Sequence, residues 1–121
     1  MTVNPRVSNS TRYKRAVSKC RERGGPCAIC WHDIDYSLQS PDPMSFEVDH
    51  IVPVSKGGDL FDPMNLQPSH RCCNNWRKSR PMSYIDDVMS GKVVPRTPPP
   101  IWRDGAKRPG DAAHVVPTFE W

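Results

Sequence analysis

At 121 residues the chain has room for one domain, but 14 prolines and an apolar share of only 36% leave it a small core. A core of that size calls for a staple such as a structural metal, and the cysteines are its natural suppliers. The net charge is +4, and no apolar run approaches the ~20 residues of a membrane span, which excludes insertion into a bilayer.

Five cysteines is an odd number, and the N-terminus carries no apolar stretch of the secretory type. Both set the expectation of a reducing, cytoplasmic setting in which cysteines bind metal and form no disulfides. The charge is unevenly spread. Arg6, Arg12, Lys14, Arg15, Lys19, Arg21 and Arg23 load the N-terminal part, and Arg71, Arg77, Lys78 and Arg80 form a second basic group. Between them lie Asp33, Asp35, Asp42, Glu47, Asp49, Asp59 and Asp62. Two basic flanks around an acidic centre suit a polyanion held beside a cation site. The plainer alternative is that these lysines and arginines only solvate the outer faces of short helices.

Residues 1–9 read as a disordered arm. Ser10 or Asn9 can cap a helix to about Arg23, stopped by Gly24-Gly25. Tyr13, Ala16, Val17 and Cys20 fall on one face of it, so Cys20 is a core residue. Pro26 to Trp31 forms a tight knuckle, and His32 to Ser45 a polar loop. Phe46, Val48 and the Ile51-Val52-Val54 run are β-prone, with Gly57-Gly58 turning after them. This predicts a strand into Asp49-His50 and a short return, with the histidine near the end of the first strand. Asn65 to Gln67 is a brief extended piece stopped by Pro68, and Ser69 caps a helix from about His70 to Lys78. A last helix spans Ser83 to Met89. From Lys92 the prolines predict extended or disordered chain, giving a domain over 10–90 and a proline-rich tail over 91–121.

Cys27-x-x-Cys30 and His70-x-x-Cys73 have the spacing of two half-sites for tetrahedral Zn²⁺. Cys72 competes as a ligand, although on a helix it points away from the direction of Cys73. Asp49 beside His50, with Asn65 on the following loop and Asn74 at the start of a basic helix, supplies the parts for one-metal phosphodiester hydrolysis. A hard divalent ion takes oxygen ligands, a neutral imidazole deprotonates water, and an amide fixes the imidazole. A lone histidine in a strand is otherwise an ordinary core residue.

The order Phe46-Glu47-Val48-Asp49-His50-Ile51-Val52-Pro53, Gly57-Gly58, Asn65-Leu66-Gln67-Pro68 and His70-Arg71-Cys72-Cys73-Asn74-Asn75 resembles the HNH endonucleases, a ββα-metal finger family, over about residues 10–80. The resemblance implies an α+β fold: a small zinc-stapled ββα finger with flanking helices. It implies His50 as general base, Asp49 and Asn74 as ligands of a catalytic ion, and Asn65 holding the imidazole or tying the loop to the helix. Asn74 stands where the family usually has its last histidine, making this an H-N-N variant. A neutral amide oxygen there suits Mg²⁺ or Mn²⁺. His70 replaces a frequent cysteine, and zinc accepts that change.

The implied activity is hydrolysis of DNA to 5′-phosphate and 3′-hydroxyl ends. Arg12, Arg15, Lys19, Arg71, Arg77, Lys78 and Arg80 would hold backbone phosphates without choosing sequence. Small stand-alone members resemble phage proteins, some of which work beside the packaging terminase. The expected state is a monomer, and Trp102, Phe119 and Trp121 in the tail are isolated aromatics of the kind that dock into the grooves of a larger enzyme, with an untethered solvated tail as the equal alternative. The rival is a non-catalytic zinc-stabilised nucleic-acid-binding or accessory module.

Overall fold

The helical spacing of Tyr13, Ala16, Val17 and Cys20 is realised as α1 (Ser10–Arg23) in a computed structural model that describes residues 10–110. Gly24, at φ 66°, closes the helix by donating its N–H to the Cys20 and Arg21 carbonyls at 3.2 and 3.1 Å. Cys20 is buried with Val48 and Leu66 in a small core between α1 and the sheet. The expected arm at 1–9 lies outside the described residues.

The sheet has two antiparallel strands, β1 (Phe46–His50) and β2 (Leu66–His70), paired Phe46 to His70, Asp49 to Gln67 and His50 to Leu66. β1 ends at His50, as its sequence predicts. The returning strand is not the Ile51-Val52-Val54 run. Pro53 withholds an amide donor there, Val54–Lys56 winds into a single 3-10 turn closed by Gly57 at φ 92°, and all three apolar side chains are exposed. β2 instead runs through Pro68, the residue expected to stop it. A strand at a sheet edge tolerates a missing donor, and the Pro68 carbonyl accepts from Ala28 N–H at 2.9 Å.

α2 (Arg71–Arg77) follows β2 directly, with His70 in its N-cap position, and α3 (Met82–Met89) follows after a short turn. The main core gathers Cys27, Ile29, Cys30, Ile34, Cys73, Trp76, Ile85 and Val88, so the cysteine knuckle is packed directly on α2 and α3.

The expected free tail is corrected over 92–110. This stretch is irregular but packed: Trp76 Nε1–H donates to Thr97 O at 2.8 Å, and the buried Arg103 donates to Ile29 O at 2.8 Å. Trp102, expected to dock elsewhere, packs against the protein's own core. His114, Phe119 and Trp121 lie outside the described residues. No helix among the described residues is long and apolar enough to cross a membrane.

Candidate metal centre and active site

Both halves of the cysteine-histidine set come together. Cys27 and Cys30 sit on a knuckle closed by Trp31 N–H donating to Cys27 O at 2.8 Å and Cys27 N–H to His32 O at 2.9 Å. Trp31 takes a φ of 68° to complete the turn. His70, ending β2, and Cys73, in the first turn of α2, face them. The four ligand atoms lie within 4.8 Å of one another and all four residues are buried. His70 Nε2–H donates to Asp33 O at 3.0 Å, which leaves the lone pair on Nδ1, the nitrogen 3.3 Å from Cys30 Sγ.

The thiols titrate as a group. Hydrogen bonds from Cys30 and Cys73 hold the Cys27 thiol far below its ordinary value. Cys30 is pushed up to about 11 by its bond to Cys27, and Cys73 is raised by its bonds to Cys27 and Cys30. A cation among the sulfurs relieves that mutual repulsion, so a Cys₃His donor set at this spacing fits tetrahedral zinc. Cys72, expected as a minor competitor, is partly exposed and outside the cluster.

The second centre is an open cleft of about 470 Å³ between β1 and α2, with Tyr13 from α1 on its rim. Glu47, Asp49, His50, Asn74 and Lys78 line it. His50 is 8% exposed, and its Nε2 lies 3.2 Å from Leu60 O. A carbonyl only accepts, so Nε2 carries the proton and Nδ1 the lone pair, the arrangement a general base requires. Asn74 spends its Nδ2 donors on Glu47 Oε1 at 2.7 Å and Val48 O at 3.4 Å, leaving Oδ1 as the atom suited to a cation. Asp49 is 3% exposed, and its Oδ2 accepts from Gln67 at 2.7 Å and from Arg77 at 2.6 Å. Burial pushes its carboxyl above the usual carboxylate range, with the Gln67 amide and Arg77 guanidinium opposing.

Residues 27–80, just under half of the chain, match the family model described as HNH endonuclease. Over that segment the chain is similar to the HNH endonucleases. Comparison with curated proteins and with solved structures gave no match. The match takes in both cysteine-histidine half-sites and most of the residues lining the cleft.

Within the matched segment Asn65 does not touch the imidazole. Its amide donates to Val52 O at 3.1 Å and Asp59 O at 2.9 Å, and accepts from Val52 N–H at 2.8 Å. It therefore ties together the loop after β1, and the ring of His50 is held by Leu60 instead. A Cβ on Gly58 would sit 1.8 Å from Val52 O and 2.9 Å from the Asn65 amide, so this brace needs a glycine beside it.

The expectation that Arg77 contacts phosphate is corrected. Arg77 is fully buried and donates to Asp49, to His50 O at 2.8 Å, to Ile51 O at 2.7 Å and to Arg80 O at 2.9 Å. Of the other basic residues proposed as DNA contacts, Arg12, Arg15, Lys19 and Lys78 are exposed and Arg71 and Arg80 half-buried. Arg12 lies 4.2 Å over the Phe61 ring, and with Arg15, Lys19 and Arg23 it lines a pocket beside α1. Sequence reasoning missed Glu47 and Gln67 as partners of Asn74 and Asp49. The signal for Glu47 was its place two residues before Asp49 on one strand, which puts both carboxylates on the same face.

Proposed function

We propose that the protein is a metal-dependent DNA endonuclease whose active site is the cleft between β1 and α2. The observation that carries this reading is His50, oriented by Leu60 O with its basic nitrogen defined, in a cleft that also holds oxygen donors of Asp49 and Asn74. Those donors fit a hard cation such as Mg²⁺ or Mn²⁺. When bound, such an ion offsets the charge of the scissile phosphate and of the departing oxygen.

The chain's own residues do the rest. His50 accepts the proton of the attacking water. Glu47 holds the Asn74 amide nitrogen, which leaves the amide oxygen for a cation, and Lys78 meets the phosphate as a free-moving point charge. Attack in line with the 3′ oxygen leaves 5′-phosphate and 3′-hydroxyl ends. Work beside a DNA-packaging terminase belongs to the same proposal, supported by the resemblance to small phage proteins and tested by co-purification with that enzyme.

One observation favours a second reading, a non-catalytic nucleic-acid-binding module: an oxygen of Asp49 is committed to the Arg77 ion pair. The two readings separate on supercoiled plasmid. With Mg²⁺ or Mn²⁺ the wild type is expected to nick or linearise it, EDTA to stop the reaction, and folded, zinc-loaded His50→Ala to be slower by at least ~100-fold. Wild-type protein that shifts plasmid in a gel yet leaves it intact with either metal would remove the catalytic reading.

A further inference from the structure

Lys78 belongs to two clefts. It lines the catalytic cleft, and it also lines a second groove between the end of α2 and the 96–100 segment, together with Arg80, Arg96 and Asn75 over a floor that includes Trp76, Pro98 and Pro100. None of the residues lining this second groove is acidic. The two depressions share a cationic wall, and the second lies partly outside the matched domain.

We propose that this groove carries the DNA backbone onward from the scissile phosphate, with Arg96 as a phosphate contact. The proposal rests on reading the cleft as a DNA nuclease site and extends it to substrate path. Three features set the backbone positions and surroundings of these cations before any ligand arrives. Lys78 is exposed and takes a φ of 55°, a backbone conformation rarely adopted by a side-chain-bearing residue, kept by its N–H bond to Asn74 O at 3.2 Å. Arg80 is pinned at the end of α2 by bonds to the Trp76 and Arg77 carbonyls, its guanidinium 4.8 Å from the Trp76 ring and 5.0 Å from the Tyr84 ring. Arg96 is exposed, and the next residue is anchored by Trp76 Nε1–H at 2.8 Å. Arg80, fixed in this way, loses little freedom on binding, and a row of cations in a groove with no acidic lining residue suits phosphodiesters.

The test uses the full chain carrying His50→Ala, so that DNA stays intact, and measures affinity for a labelled duplex by anisotropy across a salt series without added Mg²⁺ or Mn²⁺. Arg96→Glu is expected to weaken binding roughly tenfold at low salt and Arg96→Ala roughly threefold, each lowering the log–log salt slope by about one. Lys92→Glu, an equal charge change at an exposed residue that does not line the groove, is the control and should do much less. If Arg96→Glu binds like its parent, or no worse than Lys92→Glu, the groove is not a DNA path. An acidic peptide that competes while duplex affinity ignores Arg96 would assign the groove to a protein partner and equally overturn the proposal. Binding needs no cleavage, so an inert wild type whose Arg96 variants lose affinity would sink the nuclease reading and leave the groove standing.

Discussion

Arg77 spreads its guanidinium over Asp49 and the carbonyls of His50, Ile51 and Arg80, and so fixes the end of the strand that carries His50. Nothing in the sequence separates it from Lys78 or Arg80, because a basic run on a short helix reads the same whichever member turns inward. Its partners are what decide. A buried pair at 2.6 Å, with neither side chain more than 3% exposed, leaves an uncompensated charge when one member is removed. Arg77→Ala is therefore expected to cost about 3–5 kcal/mol. Arg77→Lys should also destabilise, since an ammonium cannot reach both the carboxylate and the carbonyls with a planar fork. Urea unfolding of zinc-loaded protein measures both, and a loss below about 1 kcal/mol for Arg77→Ala would mean that the ion pair is not closed in solution. Asn65 teaches the same lesson: its place in the chain was legible, its partners were not. An amide satisfies whatever backbone the loop presents, and only the fold brings Val52 and Asp59 to it.

At the scale of elements, α1 was legible because an amphipathic period and a glycine stop act locally. The returning strand was not. Ile51-Val52-Val54 has stronger β-propensity than Leu66-Gln67-Pro68-Ser69-His70, yet the latter forms β2. Two non-local constraints select it: Gln67 pairs with Asp49 across the sheet, and His70 must arrive opposite Cys30. The four ligands join a knuckle, a strand end and a helix start, three elements that bury little apolar surface individually. Metal affinity at such a site is folding free energy, on the order of 10–16 kcal/mol in zinc-finger peptides. Exhaustive chelation is thus expected to abolish the cooperative thermal transition, and Zn²⁺ to restore it while Mg²⁺ does not. The ligands must be deprotonated, so zinc should also leave as pH falls. A chelated protein that melts with an unchanged midpoint would show that the thiols and His70 pack without needing an ion.

The whole molecule is larger than its matched domain, and the added parts bear on stability. Residues 92–110 cross the face where the knuckle, α2 and α3 meet. Arg103 is the tie: its Nε–H reaches Ile29 O at 2.8 Å, its Nη1 reaches Asp86 at 3.0 Å, and its guanidinium lies 4.0 Å from the Trp31 ring. Proline content made this stretch read as free chain, because pattern methods see missing periodicity and cannot see an irregular segment seated on someone else's apolar face. Asp86 is 60% exposed, so that ion pair contributes at most about 1 kcal/mol. The larger share comes from the buried bond to Ile29 and from Val93, Ile101 and Trp102 covering the core of Trp76, Ile85 and Val88. Uncovering even two large apolar side chains costs about 3–6 kcal/mol, and in a domain of this size 1 kcal/mol moves the midpoint by roughly 4–8 °C. A chain ending at Gly91 should therefore melt at least ~10 °C below the full chain, with Arg103→Ala producing a smaller drop in the same direction. Calorimetry on zinc-loaded proteins decides it: equal midpoints would mean that the segment rests on the surface without stabilising it, and that the finger alone is the folding unit.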